Sequence, residues 1–426
     1  MTGMPKDQAI ADAVHDLRGD IVRVLQELVR ISSQTGQEGL AQDYVAETMR
    51  GFGFAVDVWE PDRRQLDSHA EFVTIGDGFA GRPNVVGVRK GSGGGRSLIL
   101  NGHIDTVETG DPAAWDRPPL SGDVIGSRLY GRGACDMKGG LVANLFALVA
   151  VQNADVSLAG DVLLESTVSE EDGGAGALSA VLRGYVADGA LISEPTDLAV
   201  VVAHGGSMMF RLHVPGLSAH ACVRDEGVSA IEKFAYLHRG ILDFEAQHNA
   251  KIVHPLYAEM TNKAPINIGK VVAGSWPSSV PESLIAEGRA GMVPGEDHVE
   301  FRRQFVAAVD ALADRDAWLC EHRPRVEWLE GSFLPSDVSV DSPLVETLRS
   351  AATRVLGAAP ALRAATYGAD MRHFVLAGQT PCVMFGAGDV RDAHAPNESI
   401  AVEDLFKATE AIALFTAEWC NAPARS

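Results

Sequence analysis

Apolar residues recur every three to four positions through residues 8–31 (Ile10, Val14, Leu17, Ile21, Val24, Leu25, Leu28), the spacing of one helix face. Residues 40–52 repeat it. Short apolar runs follow: "FAVDVW" at 54–59, "NVVGVR" at 84–89 and "SLILNGHIDTV" at 97–107. They have the length and composition of buried strands, and the Gly-rich "KGSGGG" at 90–95 predicts a turn between two of them. A helix is expected over 139–152, a strand at "DVLLESTV", a helix over 175–187, and then "GALISEPT". Strands apolar throughout that alternate with helices imply an α/β fold, a mixed sheet covered by helices on both faces.

The pattern changes near His204. "SMMFRLHVPG" alternates like a half-buried strand, 227–248 reads as a long amphipathic helix, and "APINIGKVV" and "SLIAEGRAGMV" read as two more strands. A helix over 297–321 and a strand "RVEWLE" complete a β-α-β-β-α-β order, that of a split βαβ, ferredoxin-like α+β domain. The expectation is a catalytic domain of residues 1–205 and 332–426 interrupted by an inserted domain of 206–331. The α/β pattern resumes through 343–357, "TPCVMFGAG" at 380–388 and a helix over 401–419. A chain of 426 residues exceeds one ordinary core, which agrees with two domains.

Charge narrows the partners. Lys and Arg total 36 against 57 Asp and Glu, so the net charge is −21, a field that repels nucleic acid and anionic membranes. An apolar content of 46% with mean hydropathy near zero describes a soluble globular protein. The five cysteines are scattered and form no C-x-x-C pair, as expected of reduced cytosolic thiols and not of a disulfide frame or thiolate zinc site. The N-terminal "MTGMPKDQAIADAVHDLRGD" lacks the apolar core of a signal peptide, and "LVANLFALVAV" at 141–151 is too short to span a bilayer. A cytoplasmic location is the expectation.

Five polar clusters sit at or just beyond apolar strands, all outside the inserted segment, and ligands of open α/β sheets bind at strand carboxyl ends. In "NGHIDTV", His103 and Asp105 share a strand face and could touch; metal-bound histidines commonly lean on a carboxylate, and a structural His–Asp hydrogen bond would look the same. "GRGACDMKGG" puts Asp136 in a Gly-rich turn before a helix, but its spacing is not that of a phosphate-binding loop. "SEEDGG" places Glu170 beside Glu171, and neighbours on an extended strand point to opposite faces. "LISEPTD" delivers Glu194, which could equally cap a helix, and "DAHAPNE" puts His394 in a loop. Two histidines and four or five carboxylates with no cysteine suit two divalent metals, zinc or a close relative.

In this order, "NGHIDTV", "GRGACDMKGG", "SEEDGG", "SEPTD" and "AHAPNE" resemble the dinuclear zinc aminoacylase and carboxypeptidase family, which includes acetylornithine deacetylase and succinyl-diaminopimelate desuccinylase. The likeness spans nearly the whole chain. It implies that His103 and Glu194 bind one metal, His394 and Glu171 the other, and that Asp136 bridges them. It further implies that Asp105 braces the His103 ring and that Glu170 is the general base. The metals would be zinc, with cobalt or manganese as alternatives. His220, in "GLSAHA", matches a histidine that reaches the active site of the partner subunit, so a homodimer is implied. Arg289 in "AEGRAGMVPGED" matches an arginine used near a substrate carboxylate. The sequence departs from the family where "VVAGSWPSSVPESL" has Ser278 in place of an expected asparagine, with Trp276 altering the wall beside it. "ATYGADMRHF" replaces a shorter Gly-Ser-Asp segment; its Arg372 could fork onto a substrate carboxylate, or pair with Asp370 inside the fold.

The function expected is a metal-dependent deacylase of an N-acyl amino acid or related small amide. A dipeptidase or carboxypeptidase with the same site is the alternative. A magnesium-dependent phosphoryl-transfer enzyme would not need the histidines and would need a phosphate loop, while a binding protein that had lost catalysis would not need Glu170.

Overall fold

A computed structural model of the chain describes residues 6–69, 72 and 78–424, so the first five residues of the N-terminal stretch read above lie outside it. The described chain divides into two compact units, one of Met1–Val202, Asp337–Arg363 and Ala369–Ser426, the other of Ala203–Ser336 and Ala364–Gly368. The short piece 364–368 overlaps the start of "ATYGADMRHF" and carried no boundary signal in the sequence.

The larger unit is built on a mixed sheet. Its centre is four parallel strands side by side: Val162–Thr167, Leu98–His103, Ala190–Ile192 and Cys382–Met384. Val162–Thr167, Ala190–Ile192 and Cys382–Met384 are buried at every position, which is why their sequences run apolar instead of alternating. Ala55–Trp59 and Asn84–Arg89 extend the sheet antiparallel on one side. The turn at "KGSGGG" does not make a hairpin: Val162–Thr167 is inserted between the two strands it connects. Close approach demands glycine there, since a Cβ on Gly95 would stand 2.0 Å from the Cys420 carbonyl oxygen.

The helix Gly139–Asn153 is apolar on every side and buried from Gly139 to Val151. With the turn before it, the segment Ala134–Asn153 is long and apolar enough to cross a membrane, but 94% of that window is buried within the protein, the setting of a core helix. It packs against the helices Lys6–Arg30 and Val402–Trp419. The helix Ala175–Arg183 is shorter than its pattern suggested because Gly184, at φ 102°, terminates it in the left-handed conformation and returns its N–H to Ala180 and Val181. A small sheet of Asp123–Ile125, Arg128–Tyr130 and Ser399–Ala401 was not legible in the sequence, as each strand has only three residues.

The second unit has the order strand Gly206–Pro215, helix Ala230–Lys251, strands Ile266–Ala273 and Ser283–Met292, helix His298–Ala313, strand Arg325–Phe333. Its antiparallel sheet runs in the order Ile266–Ala273, Ser283–Met292, Gly206–Pro215, Arg325–Phe333. Phe210, Leu212 and Val214 alternate onto the helix side, where Phe210 meets Phe305 at 4.9 Å and Trp328 at 5.9 Å between ring centroids. The intervening Arg211 and His213 pair across strands with Glu287 at 2.6 Å and Glu327 at 2.8 Å.

One buried ion pair ties the first helices of the larger unit to the sheet. Arg82 grips Glu38 with Nη2 at 2.7 Å and Nε at 2.8 Å, and neither residue is more than 5% exposed. Arg82→Met would leave the Glu38 charge buried alone and should destabilise the protein by about 3–5 kcal/mol. Urea unfolding would show this, and Glu38→Gln added to Arg82→Met should recover most of the loss.

Candidate metal centre

All five polar clusters belong to the larger unit, and the parallel strands explain where they lie. His103 ends its strand, Glu170 and Glu171 follow Thr167 by three and four residues, and Glu194 follows Ile192 by two. These are carboxyl ends of adjacent parallel strands, the position at which an α/β sheet exposes its ligand-binding edge. Asp136 arrives in the turn between Gly133, at φ 82°, and the buried helix at Gly139. His394, itself at φ 58°, arrives in the loop after Cys382–Met384.

Asp136 stands between two imidazoles with one carboxylate oxygen toward each. Its Oδ1 is 3.1 Å from His103 Nε2 and its Oδ2 is 3.3 Å from His394 Nε2. His394 Nε2 also lies 3.1 Å from Glu171 Oε1, and His103 Nε2 lies 3.9 Å from Glu194 Oε1. Ligand atoms of His103, Asp136 and Glu171 all fall within 4.8 Å of one another, close enough to hold a metal ion. A donor set of imidazole nitrogens and carboxylate oxygens fits zinc and its first-row neighbours.

The electrostatics point the same way. Burial alone would lower the pKa of His103, but its hydrogen bond to Asp136 and the charges of Glu194, Glu170 and Asp136 raise it well above the usual histidine range. Hydrogen bonds to Asp136 and Glu171 lift His394 to about 10. Burial raises Asp136, and the two imidazoles more than reverse it, leaving that carboxyl depressed. Burial pushes Glu194 up to about 8 and Glu170 well above the carboxylate range, with neighbouring carboxylates adding to both. The cluster carries more negative charge than its imidazoles balance, the imbalance that bound cations offset.

Asp105 departs from the expected arrangement. The His103 ring is held at Nδ1 by the main-chain oxygen of Asp105 at 2.9 Å, while the nearer carboxylate oxygen is 3.7 Å away. That carboxylate instead accepts the backbone N–H groups of Glu170 at 3.1 Å and Glu171 at 3.2 Å, and the Thr35 hydroxyl at 3.0 Å. Three donors converge on it from the turn and from Thr35, so the ring is left to the carbonyl. Arg372, for which a substrate contact and a pairing inside the fold were both open, lies inside the fold. It is fully buried and Nη2 donates to the Gly173 carbonyl at 2.7 Å, on the turn that carries the two glutamates.

His220 and Arg289 belong to the second unit. His220 is exposed; its Nδ1 accepts the Cys222 N–H at 3.1 Å, which in the neutral ring leaves Nε2 to donate. Its loop is pinned to the unexpected "SWPSS" hairpin, where the Ala221 N–H donates to the Ser278 carbonyl at 2.9 Å. Arg289 donates from Nη2 to the Thr366 carbonyl at 3.1 Å. Cys135 is buried, and burial pushes its thiol far up, so it packs and does not serve as a nucleophile.

One contributor escaped the sequence reading. Glu398 is 1% exposed; Oε1 accepts the backbone N–H groups of Cys135 at 2.9 Å and Asp136 at 3.0 Å, and Oε2 accepts from Arg132 at 2.7 Å. It is the last residue of "AHAPNE", and a carboxylate closing that motif was the available signal.

A sheet that gathers this cluster at its carboxyl edge defines a metal-dependent hydrolase, and residues 99–418 match the model of peptidase family M20/M25/M40. The chain belongs to that family, whose members are metal-dependent and hydrolyse amide bonds. It is 30% identical over 403 residues to an N-formyl-4-amino-5-aminomethyl-2-methylpyrimidine deformylase of Bacillus subtilis (strain 168), covering 90% of each chain. It is 29% identical over 434 residues to a probable carboxypeptidase of Aspergillus terreus, covering 96% of this chain and 90% of the relative. The solved dipeptidase Dug1p of Saccharomyces cerevisiae superposes with a TM-score of 0.76 over 98% of this chain and 99% of that one; at 13% identity this shows a shared fold.

Ligating groups must shed their protons before they bind a cation. His394 near 10 and Glu194 near 8 hold theirs at neutral pH in the metal-free protein. Metal uptake by chelator-stripped protein should therefore release protons and weaken steadily as pH falls below those values. Titration calorimetry in two buffers of different ionisation enthalpy measures the release; heats independent of buffer would contradict it.

Proposed function

We propose that the protein is a deacylase that hydrolyses the amide of a small N-acylated amine and releases a short acyl group. The observation that carries the reading is Asp136 set between His103 and His394 with Glu170 beside them. In this reading His103 and Glu194 hold one divalent ion, His394 and Glu171 a second, and Asp136 is shared between them. Bound there, zinc, or cobalt or manganese in its place, would supply Lewis acidity, polarising the amide carbonyl and lowering the pKa of water.

The protein's own residues do the rest. Glu170 and Glu171 sit in a turn beyond the strand, where strand alternation does not separate them; Glu171 faces His394 at 3.1 Å and takes the ligand role, which leaves Glu170 for proton transfer. Glu170 takes a proton from the attacking water as its oxygen bonds to the acyl carbon, and gives that proton to the amine nitrogen as the C–N bond breaks. Asp105 fixes the reach of both glutamates by holding their backbone N–H groups. Among protein groups, His220 of the partner subunit is assigned to the developing oxyanion, which makes a homodimer part of the proposal; the exposed ring with Nε2 as donor supports it.

Two observations favour a small acylamine over a peptide with a free carboxylate. Among relatives aligned over about nine-tenths of both chains, two, at 30% and 28% identity, are deformylases of an aminomethylpyrimidine, beside a probable carboxypeptidase at 29%. With Arg372 bonded to Gly173, the case for a substrate carboxylate is reduced to Arg289, and that guanidinium already donates to Thr366.

Glu170→Gln should retain the metal content of the parent and lose about 10²–10⁴-fold in kcat. Metal analysis and a turnover assay together check it, and a variant that hydrolyses at the parent rate would remove Glu170 from the mechanism. A panel of N-formyl aryl-methylamines, N-acetyl amino acids, N-succinyl amines and dipeptides should give its highest kcat/KM with the N-formyl amines; preference for dipeptides would establish the peptidase alternative.

A further inference from the structure

The turn that carries Glu170 and Glu171 is held from a segment two hundred positions along the chain. Arg372 lies fully buried with Nη2 on the Gly173 carbonyl at 2.7 Å. Asp370, 2% exposed, packs against the next residue: a Cβ on Gly174 would stand 2.3 Å from Asp370 Oδ1 and 2.5 Å from His373 Nε2. The turn closes on itself through Gly173 N to Glu170 O at 3.0 Å and Gly174 N to Ser169 O at 2.6 Å. It holds Ser169 at φ 68°, Gly173 at 140° and Gly174 at 73°, so three of its six residues are left-handed. The two glycines adopt it freely, but at Ser169 it is strained and persists where the surroundings over-determine it. On one flank that is Asp105; on the other it is Arg372.

We propose that Arg372 is a positioning residue, which by holding the Gly173 carbonyl sets the placement of Glu170 for proton transfer and of Glu171 for ligation, and which binds no substrate carboxylate. Burying a guanidinium is costly without hydrogen bonds, and one that Arg372 makes is to the turn that bears both glutamates. The inference rests on the base and ligand roles given above to Glu170 and Glu171.

Arg372→Met and Arg372→Lys separate this from a substrate contact. Each would be assayed on an uncharged N-formyl amine and on an N-formyl amino acid, with metal affinity measured by chelator competition and folding by circular dichroism. Arg372→Met should lower kcat about 100-fold on both substrates with KM nearly unchanged. It should also weaken metal binding about 10-fold or more, because support behind a ligand is lost. Arg372→Lys, which keeps a charged donor, should recover part of both losses. A rise in KM confined to the carboxylate-bearing substrate, with metal affinity unaltered, would overturn the proposal, and so would parent-like behaviour throughout. If Arg372→Met does not fold, Arg372→Lys carries the test: equal loss on both substrates supports the role, and parent values refute it. Glu170→Gln, run alongside, keeps the two readings apart. If it turns over at the parent rate the assigned base fails, whereas the Arg372 effect on metal affinity acts through Glu171 and is read independently.

Discussion

Asp136, Glu170, Glu171 and Glu194, all buried or partly buried, share one sheet edge with the buried His103 and the half-exposed His394, and this crowding of like charge is the condition that the surrounding structure answers. A buried carboxylate is costly unless it is paired or neutralised. Without cations the cluster balances itself by holding protons: Glu170 and Glu194 are driven toward the neutral acid, and both imidazoles toward the cation. A protonated imidazole cannot ligate and a protonated glutamate cannot accept a proton, so ligation and proton transfer both require those protons to leave. Membership of a metal-dependent family supplies the charge that the residues lack.

The supports around the cluster follow a common pattern. Asp105, Glu398 and Arg372 are fully or almost fully buried, and each bonds the main chain of a turn that carries a member of the cluster. Those turns make only a few backbone bonds of their own, and side chains from distant segments add to their hold. Glu398 is anchored in turn by Arg132, which keeps its charge paired. Function here depends on a frame of charged side chains whose partners are peptide groups, a use of buried charge that adds specificity of position more than stability.

The second unit solves a different problem. Aromatic rings from the strand Gly206–Pro215 and the helix His298–Ala313 fill one side of its sheet, and ion pairs occupy the opposite side. The loop with His220 is bound into a hairpin by backbone bonds, so the ring is presented from a fixed base. Sequence alternation showed this division of faces directly, because the strand period of two separates Phe210 and Leu212 from Arg211 and His213.

Periodicity, apolar runs and residue chemistry are local properties, and what they determine could be read from the chain alone. They located most of the helices and strands, marked the β-α-β-β-α-β segment, and brought forward His103, Asp136, Glu171, Glu194 and His394, which the fold places together. Partnership across the chain is not local. That Val162–Thr167 lies between strands joined by the earlier turn, that the His103 ring takes the carbonyl and not the carboxylate of Asp105, that Arg372 faces Gly173, and that Glu398 holds Asp136 were decided by tertiary structure. The physical reason is that a carboxylate or guanidinium bonds whichever group meets it first in the folded state. Here those groups come from turns tens to hundreds of residues away, a proximity that no spacing along the chain encodes.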